Sequence, residues 1–258
     1  MKSLLLAAGY ATRLYPLTLD KPKALLPVGP CPIIDYILQN IVRTKKIDEV
    51  FVVTNHKFSG HFQEWAQASD VSLDIKVIDD GTLSNEDRLG AIGDISFVIK
   101  NKNIKDDLLV IGADNIFEAE LSDFLKFALS KKDANCIGLY DLGDKKLASQ
   151  YGVVSIDKNN KVAGFQEKPK EPKSTLISTC IYYFSAKKIG LFEKYLTDKS
   201  HSKDASGNYI KWLSENDSVY GYIVPGKWYD IGDIESYKKA EGNFNGGKKN
   251  SSSERAKT

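Results

Sequence analysis

LLLAAGYATRLYPLTLDKPKALLPVG, residues 4–29, is the stretch on which the reading of this chain turns. With Ser3 it opens as a short, mostly apolar run that ends at Ala8, the length of one buried strand. The run stops at Gly9 and empties into a loop that carries Arg13 and Lys21-Pro22-Lys23, closed by a second apolar patch at 24–28. Gly9 allows a sharp turn and a close approach of backbone to ligand. Small side chains at Ala8 and Ala11 leave backbone amides open along Ala7, Ala8, Gly9, Tyr10, Ala11 and Thr12, and such amides form a concavity for anions. Arg13 offers a planar fork to phosphate and Lys23 a point charge. A plain turn with surface bases is the competing reading. Neither G-x-x-x-x-G-K-[ST] nor G-x-G-x-x-G is present.

Working outward, 32–44 reads as a helix with one apolar stripe, 49–54 as a buried strand, 58–68 as a helix and 74–78 as a strand. Residues 79–85 (DDGTLSN) form a loop, 86–100 a helix, 107–112 a strand, 121–132 a helix and 134–140 a strand. This alternation predicts an α/β fold, Rossmann-like and doubly wound, with a mostly parallel mixed sheet. Beyond Tyr151 the rhythm changes. A hairpin at 152–156 and 162–167, a strand at 176–185, helices at 186–197 and 208–214, a strand at 219–224 and a short helix at 234–241 suggest a smaller β-rich part. Residues 245–258 hold almost nothing apolar and read as disordered.

The chain has 258 residues, an apolar fraction of 42% and a net charge of +2, with acids and bases mixed along it. That is enough for a core and argues against a nucleic-acid binder, which would show a clustered basic face. No segment is apolar for long enough to span a membrane. Cys31, Cys136 and Cys180 read as reduced thiols, and with no secretory signal in sight the expected compartment is the cytoplasm.

Two carboxylates stand where chemistry is expected. Asp114 follows the strand LLVIG on the sheet edge shared with Gly9, a position from which it can hold Mg²⁺, a hard cation that prefers oxygen ligands. Asp230, in WYDIG, lies between a strand and the last helix. Either acid could instead cap a turn.

Residues 6–14 (LAAGYATRL), with Lys21-Pro22-Lys23 and Leu26-Pro27-Val28, resemble the signature of the sugar-1-phosphate nucleotidyltransferases, which include glucose-1-phosphate thymidylyl- and uridylyltransferases. The resemblance runs from Leu4 to about Ala240. It implies one domain over 1–243, nucleotide-binding over 1–140 and sugar-binding over 141–243, with a tail at 244–258. It implies that Asp114 and Asp230 hold Mg²⁺ on the nucleotide phosphates. Arg13, Lys23 and Lys168 become the catalytic cations. Lys168 of Glu167-Lys168-Pro169 binds the sugar phosphate, and Glu167 binds sugar hydroxyls. Gly152, after Tyr151, lets the sugar approach the backbone, and Thr179 lies beside it. Gly90 and Ala91 contact the base through their backbone, with Asp80 and Gly81 close by. Where relatives often carry glycine, this chain has Ala11, expected at negative φ, and Cys180, expected to narrow the sugar site. In place of their Gln-Pro-x-Gly-Thr-Ala it has Asp-Asp-Gly-Thr and Arg-Leu-Gly-Ala, so the base stays open.

The implied partners are a nucleoside triphosphate and a sugar 1-phosphate, with glucose 1-phosphate and dTTP or UTP leading; neither nucleic acid nor membrane is expected, and a homo-oligomer is left open. The rivals are a cytidylyltransferase for phosphocholine or another non-sugar phosphate, and a sugar-nucleotide sensor without turnover.

Overall fold

Leu4 and Leu5 are both fully buried, yet they belong to different cores. Neighbours on a strand point to opposite faces, so the strand that carries them, β1 (Lys2–Leu6), is covered on both sides. The structure, a computed structural model, describes residues 1–250. After β1 the chain passes through the basic loop and a tight hairpin, β2 (Pro27–Val28) and β3 (Cys31–Pro32), into α1 (Ile33–Thr44), β4 (Glu49–Thr54), α2 (Ser59–Ala68), β5 (Asp74–Asp79), α3 (Ala91–Asn101) and β6 (Leu108–Gly112). Next come β7 (Asn115–Phe117), α4 (Leu121–Ser130), β8 (Asn135–Asp141), α5 (Lys145–Ala148), β9 (Gly152–Ile156), β10 (Val162–Glu167) and β11 (Leu176–Phe184). The chain ends through α6 (Leu191–Thr197), α7 (Ser206–Asn216), β12 (Val219–Ile223), β13 (Trp228–Asp230) and α8 (Ile234–Asn250).

A mixed sheet runs β10-β9-β11-β6-β1-β4-β5, with β8 joining β11 to β12. Strands β6, β1, β4 and β5 are parallel, whereas β11 is antiparallel to β6 and β8. This is the expected α/β architecture. On one face Leu4, Phe51, Val53 and Val110 meet α3, α6 and α7; on the other Leu5, Val50, Val52 and Ile111 meet α1, α2 and α4. Doubly covered strands need apolar side chains in both directions, which is why these runs do not alternate with polar residues.

A third, smaller core positions the functional loops. Leu14 and Val28 from the basic region pack with Ile116 of β7, Ile231 after β13 and Tyr237 of α8. The N-terminal loop is thereby fastened to segments from the middle and the end of the chain.

Several boundaries differ from the sequence reading. The helix expected at 86–100 starts only at Ala91. Before it, the amides of Leu83 and Ser84 donate to the Asp87 carboxylate, and Gly90 has φ +77°, which stops a helix from running through. The helix expected at 186–197 is a short 3-10 turn, Ala186–Lys188, followed by α6. The last helix does not stop at Glu241, and residues 244–250, expected to be disordered, continue it to Asn250. Phe244 anchors this extension against Tyr36 and Tyr229, with ring centroids 4.9 and 6.0 Å away. Residues 251–258 of the expected tail lie outside the described residues.

Candidate active site

Asp114 and Asp230, 116 positions apart in the chain, are brought together by two three-residue strands. β7 and β13 pair antiparallel with Asp230 opposite Asn115, and the Ile231 amide donates to the Asp114 carbonyl at 3.1 Å. The Trp228 indole N–H donates to Asn115 Oδ1 at 2.7 Å, and Asn115 Nδ2 donates to the Gly112 carbonyl at 2.9 Å. Trp228 and Asn115 thus tie the small ribbon to the end of β6. Both carboxylates line one cavity of about 420 Å³. Burial, and then the negative charge of Asp114, raise the Asp230 carboxyl above the ordinary range; Lys23 and Arg13 oppose them. Lys23 Nζ lies 2.6 Å from Asp114 Oδ2. The Arg13 guanidinium and Asp230 carboxylate flank Gly232, at 3.9 and 3.6 Å from where its Cβ would stand.

The loop after β1 is held from behind. Asn55, fully buried, donates to the Ala8 carbonyl at 3.0 Å, and Thr18 Oγ1 donates to the Ala11 carbonyl at 2.9 Å. The Tyr10 hydroxyl donates to the Thr82 carbonyl at 3.1 Å. Among the described residues the amides of Ala8, Gly9, Tyr10 and Ala11 have no internal acceptor, whereas Ala7 and Leu14 on either side do. Consecutive amides left this way suit an anion. The sharp step falls on Ala11 rather than Gly9: Ala11 has φ +49°, contrary to the negative φ expected. An L-residue pays roughly 1–2 kcal/mol for that region, and the bonds at either end of the loop impose it.

Across the cavity stand Tyr151, Gly152, Glu167, Lys168 and Thr179, all expected on the sugar side. Lys168 is itself left-handed, φ +43°, and its amide donates to the Tyr151 carbonyl at 3.1 Å. Burial raises the Glu167 carboxyl, and Lys168 partly offsets this. Two of them also serve the fold. A Cβ on Gly152 would come within 2.4 Å of the Phe165 ring, so the core already requires glycine there. Thr179 Oγ1 is buried and donates to the Gly138 carbonyl at 3.0 Å, a bond within the sheet. Cys180 takes φ +56° at the register shift in β11, and its sulfur would lie 3.3 Å from a Cβ on Gly112, at the cavity wall.

On the base side several of the expected residues are engaged within the protein. Asp80 does not face the cavity: it is buried, its Oδ1 accepts from Thr82 N and Oγ1 at 2.7 Å each, and it lies against Asp94 of α3. Asp80 Oδ2 and Asp94 Oδ1 are buried with no other partner among the described residues. Burial, then the charge of Asp80, push the Asp94 carboxyl up to about 8. Gly81 does not line the cavity. Ala91 does, but its amide donates to the Asp204 carbonyl at 3.1 Å, and the place of a Cβ on Gly90 is taken by the Lys203–Asp204 backbone at 2.6 Å. Polar residues that the sequence reading passed over complete the wall. Ser178 and Ser206 hydroxyls bracket the Tyr182 hydroxyl at 3.1 and 3.0 Å, and Arg88 pairs with Asp204.

A sequence profile of the nucleotidyl transferase family matches residues 2–245. The chain belongs to that family. It is 31% identical over 93% of its length to a provisionally named mannose-1-phosphate guanyltransferase of Sulfolobus acidocaldarius, of which it covers 62%. It is 29% identical over 90% of its length to a bifunctional protein GlmU of Methanocaldococcus jannaschii, of which it covers 51%. The chain thus spans about half to three fifths of these curated relatives. It superposes with TM-score 0.80, 26% identity and 95% coverage of both chains on the crystal structure of a provisionally named glucose-1-phosphate thymidylyltransferase from Bacillus anthracis, in complex with a sucrose. No described helix is long and apolar enough to cross a membrane.

Within the nucleotidyl transferase frame, Asp114 and Asp230 are the residues that could hold a metal. Among the described residues no set of three or more His, Cys, Asp or Glu side chains is arranged to do so. The donor set is two neighbouring carboxylates beside an open polar cavity. That suits Mg²⁺, which binds through one or two carboxylates and completes its shell with waters and substrate phosphates.

Proposed function

We propose that this protein joins a sugar 1-phosphate to the nucleotidyl group of a nucleoside triphosphate and releases pyrophosphate. The observation that carries the reading is the convergence of Asp114 and Asp230 on one cavity, with Lys23 and Arg13 on one side and Lys168 on the other. The sugar phosphate is an anionic nucleophile from the start, so no general base is required, and catalysis is positioning and charge stabilisation. Its oxygen attacks the α-phosphorus in line while pyrophosphate leaves. The amides of 8–11 and Arg13 hold the β- and γ-phosphates, and Arg13 stabilises the charge that develops on the departing group. Lys23 spans the α-phosphate and the incoming phosphate, which Lys168 orients. Mg²⁺ held by Asp114 and Asp230 would, when bound, withdraw charge from the α-phosphate.

For the acceptor we propose a hexose 1-phosphate. The hydroxyls of Ser178, Tyr182 and Ser206 and the Glu167 carboxylate supply donors and acceptors of the kind ring hydroxyls use. Glucose 1-phosphate with dTTP or UTP fits the name of the structural neighbour, and mannose 1-phosphate with GTP that of the Sulfolobus relative. A panel of the triphosphates against glucose, mannose and amino-sugar 1-phosphates and phosphocholine, read as pyrophosphate release, tests the proposal. Turnover of CTP with phosphocholine alone would replace it with the cytidylyltransferase reading.

A further inference from the structure

Arg88 and Asp204 are 116 positions apart, and Arg88 reaches the carboxylate of Asp204, which lines the cavity. Arg88 Nε lies 2.9 Å from Asp204 Oδ1 and Nη2 lies 3.0 Å from Oδ2, a bidentate pair, while Arg88 Nη1 donates to the Asn85 carbonyl at 2.6 Å. Arg88 belongs to the loop between β5 and α3, on the base side. Asp204 precedes α7, on the sugar side, and lines the same cavity as Lys168. The backbone around Asp204 is secured separately, because the Lys203 and Asp204 carbonyls accept from the Ile92 and Ala91 amides at 2.9 and 3.1 Å. Among the described residues Lys168 makes no ion pair of its own. A carboxylate near a phosphate-binding lysine is a competitor for it.

We propose, resting on Lys168 as the sugar-phosphate lysine, that Arg88 is a positioning residue: it grips the Asp204 carboxylate in a two-point pair, keeps it off Lys168, and so leaves the lysine to the phosphate. Arg88 suits this task because its fork holds both carboxylate oxygens in one plane, which a lysine cannot do. The electrostatics agree. Hydrogen bonds from Arg88, then its charge and that of Lys168, hold the Asp204 carboxyl below its ordinary range against the effect of burial. Asp204 and Lys168 line the same cavity, so a carboxylate freed by loss of Arg88 has that lysine within the cavity to turn to.

The test uses the full chain and three variants: Arg88→Ala, Asp204→Asn and the double variant. Arg88→Ala is expected to raise KM for the sugar 1-phosphate about fivefold, the effect of one exposed ion pair set against the ligand. The kcat at saturating sugar phosphate and KM for the triphosphate should stay within about twofold. Adding Asp204→Asn should return KM to the wild-type value, because the competitor is gone. If Arg88 merely braced the loop, Asp204→Asn alone would match Arg88→Ala and the double variant would show no rescue; either result overturns the proposal. A readout without substrate runs in parallel: the Lys168 resonance of ¹³C-methylated protein, assigned with Lys168→Arg. It should shift in Arg88→Ala and return in the double variant, and an unmoved resonance overturns the pairing whatever the kinetics. If the wild type turned over no substrate pair, the proposed reaction would fall, and this resonance alone would decide the inference.

Discussion

Asp94 is the place where a single substitution should stabilise the protein most at alkaline pH. Its carboxyl is buried against Asp80, and burial with the neighbouring charge pushes it up to about 8 from an ordinary 3.8. A folded-state pKa raised in this way means that the folded protein favours the protonated acid. The stability this contributes is complete below pH 3.8 and is lost as pH rises to about 8. About four pH units at roughly 1.4 kcal/mol each set a ceiling of ~6 kcal/mol, and relaxation of the loop lowers it. Asp94→Asn imitates the protonated acid, since its amide can donate to Asp80 at any pH. Urea unfolding at half-unit steps from pH 6 to 8.5 should show the variant gaining on the wild type by roughly 1 kcal/mol per unit, then levelling off. Stability curves that run parallel over that window would refute the raised Asp94 carboxyl.

Other substitutions test the site and its supports. Asp114→Asn or Asp230→Asn should each lower turnover by about a hundredfold or more while the thermal midpoint stays near or above that of the wild type; wild-type rates in both would reject the carboxylate pair. Lys168→Ala should mainly raise KM for the sugar 1-phosphate, and unchanged constants would remove it from the site. Gly207→Ala puts a methyl 2.0 Å from Glu167 Oε2 and 2.9 Å from the Phe165 ring, so it should cost roughly 1–3 kcal/mol and weaken sugar-phosphate use together; full activity would show that Glu167 is dispensable where it stands. Trp228→Phe removes the indole bond to Asn115, which should cost about 1 kcal/mol in urea unfolding and lower kcat.

The runs Leu4–Leu6 and Leu108–Ile111 could be read as central strands because burial on both faces leaves no room for polar residues, and the place of Asp114 at the end of the second followed from that. What joins Asp114 to Asp230 could not be read. β7 and β13 have three residues each, too few for any period, and their pairing rests on contacts between distant segments. An alanine where relatives often carry glycine implies negative φ at Ala11; the tethers from Asn55 and Thr18 override that preference. Asp80, expected close to the base, falls in a run of turn formers, and the acid that it meets in the interior lies on α3, fourteen positions on, outside any local pattern. The sugar-side residues Asp204 and Ser206 carry no local pattern at all, and they reach the cavity only because the amides at the start of α3 bind the preceding carbonyls.

The central claim is that one cavity, framed by Asp114, Asp230, Arg13 and Lys168 with Lys23 paired to Asp114, brings a triphosphate and a sugar phosphate together. The most direct test is pyrophosphate release with purified protein and MgCl₂, with each triphosphate supplied alone and then with each sugar 1-phosphate. The account predicts release only when both are present, in step with formation of a nucleotide-sugar and abolished in Asp230→Asn. Release that ignores the sugar phosphate, or that survives the loss of both carboxylates, would contradict it.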